Sequence, residues 1–236
     1  MGLFSQGLLA ACANSDQPNH STPKRWAMVV DTRKCSAHED CTLCIDACHL
    51  AHNVPTLEKS STRAIRWIKK SPFDTLFPSF ESQQIPPTIR TRTPIALCNH
   101  CNNPPCARVC PTKATWRRSD GIVMIDWHRC IGCRYCAVAC PYGSRSFNWV
   151  NPRPQISTPS PDFPTRTQGV IEKCTFCAER LARDLKPVCV EACKYGALTF
   201  DDITDPHSLA SSIVSAKFTI RRKPEMSTGP QIYYVV

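Results

Sequence analysis

Sixteen of the seventeen cysteines fall into four sets of four: Cys35/Cys41/Cys44/Cys48, Cys98/Cys101/Cys106/Cys110, Cys130/Cys133/Cys136/Cys140 and Cys174/Cys177/Cys189/Cys193. Thiolates are soft ligands, so sets of four at short spacing point to iron–sulfur or zinc chemistry. The third set, Cys-Ile-Gly-Cys-Arg-Tyr-Cys-Ala-Val-Ala-Cys-Pro, has the C-x2-C-x2-C-x3-C-P spacing in which three thiolates hold one [4Fe-4S] cube and the fourth reaches a neighbouring cube.

The other sets keep the ends of that pattern. The second reads C-x2-C-x4-C-x3-C before Pro111, its middle loop lengthened by Asn102-Asn103-Pro104-Pro105. The fourth reads C-x2-C-x11-C-x3-C, and the first reads C-x5-C-x2-C-x3-C with an unusual opening loop from Ser36 to Asp40. All four end in C-x3-C, a spacing that starts a helix whose last thiol points to the next cluster. Four motifs can satisfy one another in this way. A disulfide scaffold is the wrong class for 236 residues, and disulfides do not call for repeated C-x2-C. Zinc is the stronger rival, as a structural zinc-binding protein, but the triplet Cys130/Cys133/Cys136 plus a fourth cysteine at x3 would crowd one tetrahedral ion. The cofactors expected are therefore four [4Fe-4S] clusters and electron transfer is the expected task.

Charge agrees. The formal net charge of +10 treats every thiol as neutral. Four oxidised cubes in thiolate cages carry roughly −8 together, which leaves about +2. The basic excess then balances buried anions, and no nucleic-acid partner is expected. Lys34, Arg129 and Lys173 each precede the first cysteine of a motif, where a cation could raise a cluster's potential; the alternative is a solvated surface position.

The elements that must position the motifs are small. Ala114 to Arg118 and Ile122 to Asp126 flank Ser119-Asp120-Gly121, which predicts a β-hairpin between the second and third motifs. Ala27 to Asp31 and Ala197 to Phe200 are further strands. Asp205-Pro206 reads as an N-cap and first helical residue, with Leu209, Ile213 and Val214 on the apolar side of a helix ending near Lys217. Two proline-rich insertions, Ser71 to Pro94 and Asn151 to Thr167, read as surface loops wrapped on the cluster core, with Trp67, Phe73, Phe77 and Phe80 serving packing.

No apolar run reaches the length of a membrane span. Gly-rich nucleotide loops, a nucleophile elbow and paired catalytic carboxylates are all missing, so no catalytic residue is expected and the chain is not an enzyme on its own. His38, His49 and His100 lie in or beside motifs in supporting roles. Leu9-Ala10-Ala11-Cys12 matches a lipobox in which Cys12 would be acylated, although no Lys or Arg precedes Lys24 and the apolar stretch is short; Ala11-Cys12-Ala13 also fits a small-residue cleavage site.

Met28-Val29-Val30-Asp31, Cys98-Asn-His-Cys-Asn-Asn-Pro-Pro-Cys106, Cys130 to Cys136, Cys140-Pro-Tyr-Gly, Glu172-Lys-Cys-Thr-Phe-Cys177 and Glu191-Ala-Cys resemble the four-cluster iron–sulfur electron-transfer subunits of membrane-bound oxidoreductases, from about Trp26 to Val236. Within that group, Cys48-His-Leu-Ala-His-Asn-Val-Pro55, Arg66-Trp67-Ile68, Arg145-Ser-Phe-Asn-Trp149 and Gly229-Pro-Gln-Ile-Tyr-Tyr234 are most similar to the extracytoplasmic subunits of sulfite-reduction-associated complexes. Subunits of molybdopterin reductases of the polysulfide reductase type are the alternative.

The resemblance implies an α+β fold of two pseudo-symmetric bacterial ferredoxin-like halves with long loop insertions. Its divisions would be a leader at 1–23, an outer half begun at 24–97 and resumed at 169–236, an inner half at 98–150 and a linker at 151–168. It further implies the metal ligand sets Cys35/Cys41/Cys44/Cys193, Cys174/Cys177/Cys189/Cys48, Cys98/Cys101/Cys106/Cys140 and Cys130/Cys133/Cys136/Cys110. The implied partners are a polytopic quinone-interacting membrane subunit and a multihaem cytochrome c or a catalytic subunit. The implied location is peripheral, on the periplasmic or extracytoplasmic face, the cytoplasmic face being the alternative.

Overall fold

The structure is a computed structural model that describes residues 23–38, 40–57, 63–80 and 85–236; the side chain of Phe80 and the lipobox with Cys12 lie outside what it describes. Among the described residues ten short strands lie among brief helices, a mixed α+β arrangement as expected. Strand β1 (Trp26–Asp31) is central, because Ala27, Met28, Val29 and Val30 are all buried and need cover on both faces. The paired ladders that include β1 use strands from far along the chain.

The small ladders come first in chain order. β2 (Ile68–Lys70) pairs antiparallel with β3 (Ile95–Leu97), which closes the first proline-rich insertion at its base. β4 (Thr115–Arg117) and β5 (Val123–Ile125) form the expected hairpin, turned at Gly121 with φ of 84°. β6 (Ser146–Phe147) pairs with β7 (Ile171–Glu172), and this pair staples the second insertion. Phe163 and Arg166 of that insertion are buried, and the Asn53 side chain donates to the Ser160 carbonyl and accepts from the Ser160 N–H at 2.6 Å. The segment is thus wrapped onto the core.

β8 (Leu198–Asp202), β9 (Thr219–Ile220) and β10 (Ile232–Val235) complete a four-stranded sheet of order β8-β1-β10-β9. β1 runs antiparallel to β8, Met28 facing Phe200, and parallel to β10, Met28 facing Ile232. The sheet therefore ties the segment before the first motif to the segment after the fourth. Trp67, Phe73 and Phe77 are buried, as packing residues should be.

One element begins later than expected. The helix is Leu209–Ala216 with Ser208 as N-cap, its Oγ accepting from the Ser211 N–H at 3.1 Å, while Asp205 caps a turn by accepting from the His207 N–H. The buried contact of that helix is Ala210, whereas Leu209 is 60% exposed, because a small residue lets the helix lie close against the sheet. It still ends at Lys217.

Candidate metal centres

Each thiol set is built from a loop and a short helix. Cys35 sits on helix Thr32–Ser36, which starts where the Asp31 carboxylate accepts the Lys34 N–H at 3.0 Å. Cys44 and Cys48 lie four residues apart on helix Leu43–Ala51, and residues so spaced share one helix face. Cys44 has the thiols of Cys35, Cys193 and Cys41 as neighbours; Cys48 has those of Cys189, Cys174 and Cys177. One helix thus serves two groups. Cys35, Cys41, Cys44 and Cys193 line a single cavity together with Lys70, Ile95 and Tyr195.

A third group forms around Cys101, whose neighbouring thiols are Cys98, Cys106 and Cys140. Cys106 stands on helix Pro105–Arg108 and Cys136 on helix Tyr135–Val138, and the two pack into one small core with Val123, Ile125 and Ile171. Cys136 has Cys106 and Cys130 as thiol neighbours, and Cys133 is exposed. Partial burial raises the Cys110 thiol, but hydrogen bonds from Thr112, Ala114 and Thr115 outweigh it and hold the thiol below its ordinary value.

The C-x2-C loops share a backbone device. The residue before the second cysteine is left-handed in three of them: His100 (φ 41°), Gly132 (φ 70°) and Phe176 (φ 56°). Such a turn curls the loop so that both thiols face one point. Gly132 is required twice over, since a Cβ there would meet the Gly169 carbonyl oxygen at 2.2 Å. His100 and Phe176 stack on one another, centroids 3.7 Å apart, which clamps the second motif's loop to the fourth's. Sequence reasoning gave His100 a supporting role and missed this stack.

The donor sets fit [4Fe-4S] clusters. Burial pushes the thiols of Cys44, Cys101 and Cys174 up to about 12 and those of Cys48 and Cys189 well above the ordinary value, with neighbouring thiols adding to the effect. Four converging thiolates in so dry a place need a cationic core between them, which a cluster supplies. Backbone N–H groups already point at sulfur, Phe176 to Cys174 and Ala197 to Cys193, both at 3.4 Å. Within the motif loops, the side chain of Asn99, Nε2 of His100 and Oγ1 of Thr175 are buried with no hydrogen-bond partner, as donors to cluster sulfide would be. His52, Cys177 and Glu179 offer ligand atoms within 4.8 Å of one another. Yet His52 is held between the Cys48 carbonyl at 2.8 Å and the Glu179 carboxylate at 2.9 Å, which suits a brace between two motifs better than a zinc site.

Of the three cations preceding a motif, Lys34 and Arg129 are exposed and only Lys173 is fully buried. The sequence analysis quoted Arg145 and Glu172 within motifs without giving them a role and did not single out Arg166; all three are buried.

A family model described as a 4Fe-4S dicluster domain matches residues 93–155, and a second of the same description matches 129–197, the two overlapping across the third motif. The chain is 39% identical over 233 residues to iron–sulfur subunit 1 of an Hdr-like menaquinol oxidoreductase of Archaeoglobus fulgidus, covering 89% of this chain and 83% of that one. It is 35% identical over 224 residues to a subunit of the tetrathionate reductase of Salmonella typhimurium, covering 94% and 76%. It is 35% identical over 216 residues to one of the chains of the polysulfide reductase of Wolinella succinogenes, covering 90% and 94%.

Proposed function

We propose that this chain, which belongs to the iron–sulfur subunit family of membrane oxidoreductases, relays electrons between a quinone-interacting membrane subunit and a cytochrome c or catalytic subunit. It is an electron-transfer subunit and not catalytic alone, which sets the structural zinc reading aside. The observation that carries the relay is the sharing of thiols across motifs: Cys48 stands with Cys174, Cys177 and Cys189, Cys193 with Cys35, Cys41 and Cys44, and Cys140 with Cys98, Cys101 and Cys106. With Cys130, Cys133, Cys136 and Cys110 as the remaining set, four cubes would form a row across two ferredoxin-like halves. When bound, such cubes supply one-electron exchange, at potentials set by local charge, hydrogen bonds to sulfur and exposure.

The row would end at the face around Cys133. Ile131, Tyr135 and Val138 are 67%, 62% and 87% exposed there, amid the exposed cations Arg108, Lys113, Arg129 and Arg134. An apolar patch rimmed by positive charge suits a partner with an apolar centre and an acidic rim. Among the described residues no helix is long and apolar enough to cross a membrane. Relatives named for menaquinol, polysulfide and tetrathionate favour a quinone on one side and sulfur compounds on the other.

Purified without oxygen, the chain should hold about sixteen irons with matching sulfide, at four per cube. Affinity capture from detergent extracts should bring down a multi-span protein, and a quinol analogue should reduce the clusters of that complex. Recovery of a partner-free monomer that quinol cannot reduce would point instead to a free carrier. The crossover has its own check. Cys110→Ser should perturb the centre held by Cys130, Cys133 and Cys136, leaving the one at Cys98, Cys101 and Cys106 intact by its electron paramagnetic resonance signal. Loss of the latter alone would show each motif to be self-contained.

A further inference from the structure

Two buried cations stand between the thiol groups, and among the described residues neither has a carboxylate partner. Lys173 is fully buried; its Nζ donates to the Cys174 carbonyl at 2.7 Å and to the Val123 carbonyl, and Cys98, Cys174 and Cys106 are its anionic neighbours. Arg145 donates Nη1 to the Thr115 hydroxyl at 3.1 Å and has the thiols of Cys106, Cys136 and Cys98 as its anionic neighbours. Its Nη2 is buried without a partner among the protein's own atoms.

Burying a cation without a counter-charge is costly, so two of them at the centre of one small fold need anions close by. Among the described residues, the anionic groups that act on them are the thiols. Those thiols belong to different groups: Cys174 to one, Cys98 and Cys106 to a second, Cys136 to a third. Each cation therefore touches two groups at once.

We propose that Lys173 and Arg145 are positioning charges of the relay, seated at the two joints that flank the Cys98/Cys101/Cys106/Cys140 centre, where each raises the reduction potential of both centres it adjoins. Lys173 serves the joint with Cys174/Cys177/Cys189/Cys48, and Arg145 the joint with Cys130/Cys133/Cys136/Cys110. With cubes held there, one electron would pass between neighbouring groups with no proton or bond change, and Lys173 and Arg145, as fixed positive charges at the joints, would favour the added electron on either side. The arginine fork also suits two sulfurs at once in a way that one ammonium does not.

The inference rests on the four-cube reading proposed above. The test uses the full chain assembled without oxygen, with iron and sulfide counted before the four midpoint potentials are read by paramagnetic-resonance-monitored titration. Arg145→Met should lower the potentials of two centres, each by about tenfold in its reduction equilibrium, ~59 mV for a one-electron couple, and leave the other two in place. Lys173→Met should also lower two, and the centre held by Cys98, Cys101 and Cys106 should move in both variants. Arg145→Lys keeps the charge but loses the fork, so its shifts should have the same direction and be smaller. If Arg145→Met binds less iron, the same comparison is read on Arg145→Lys and Lys173→Met. Iron far below four clusters in the unaltered chain would sink the cube reading itself. Full iron with unmoved potentials in Lys173→Met and Arg145→Lys, or equal shifts at all four centres, would overturn this inference alone.

Discussion

Anaerobic chelation of iron from the loaded chain should abolish its cooperative unfolding transition and remove most of its far-ultraviolet circular dichroism. The longest helix among the described residues, Leu43–Ala51, has nine residues, and several helices have four. Isolated helices below ~12 residues are marginal in water, and three of the ladders are only two or three residues long. Cys44, Cys48, Cys98, Cys174 and Cys189 are members of the main buried core, so ligand bonds from them to the proposed cubes would also be the fold's cross-links. Where a site is not preformed in the unfolded chain, metal-binding free energy is folding free energy. A chelated chain that still melts cooperatively, within a few degrees of the loaded one, would show that packing alone sustains the fold.

Local patterns were readable in the sequence and distant pairings were not. The hairpin β4–β5 was legible because two alternating runs flank a Ser-Asp-Gly turn, and β1 because four apolar residues precede a motif. The start of helix Leu209–Ala216 was misplaced because Asp205 and Ser208 are both good caps three positions apart; Pro206 favoured the first, but the Asp205 side chain is committed to its own turn. The four cysteine motifs were legible through their spacing, whereas the sharing of thiols between motifs was implied only by the family resemblance. The buried cations were less so. Lys173 looked no different from Lys34 and Arg129, since an adjacent motif does not reveal which side of the chain faces inward. Arg166 finds the carbonyls of His52 and Asn53 more than a hundred positions away, and nothing in its own neighbourhood announces them.

That arginine carries the second large expectation: Glu172→Gln should destabilise the loaded chain by about 3–5 kcal/mol. Arg166 and Glu172 both have fully buried side chains and meet at 2.6 Å. Around them every polar atom of the pair is used except the Arg166 Nε. Glu172 accepts from the Trp67 indole at 3.0 Å and from Asn148 at 2.6 Å, while Arg166 donates to the carbonyls of His52 at 2.5 Å, Pro164 at 2.8 Å and Asn53 at 2.8 Å. The guanidinium also lies over the rings of Trp67, Trp127 and Phe163, 5.4 to 5.7 Å from their centroids. This one pair therefore pins the second proline-rich insertion, the end of helix Leu43–Ala51 and β7, which leads directly into the fourth motif. Glutamine keeps the shape but leaves the buried guanidinium uncompensated, and that stranded charge is the source of the cost. Because clusters are lost on unfolding, the effect should be read as a rate: denaturant-induced bleaching of the iron–sulfur absorbance should accelerate by up to about two orders of magnitude. Adding Arg166→Met should recover much of the loss, since the unpaired charge goes with it and a double-mutant cycle isolates the coupling. Bleaching at the unaltered rate in Glu172→Gln, or a double variant as fast as the sum of the singles, would show that the pair does not hold the insertion to the cluster core.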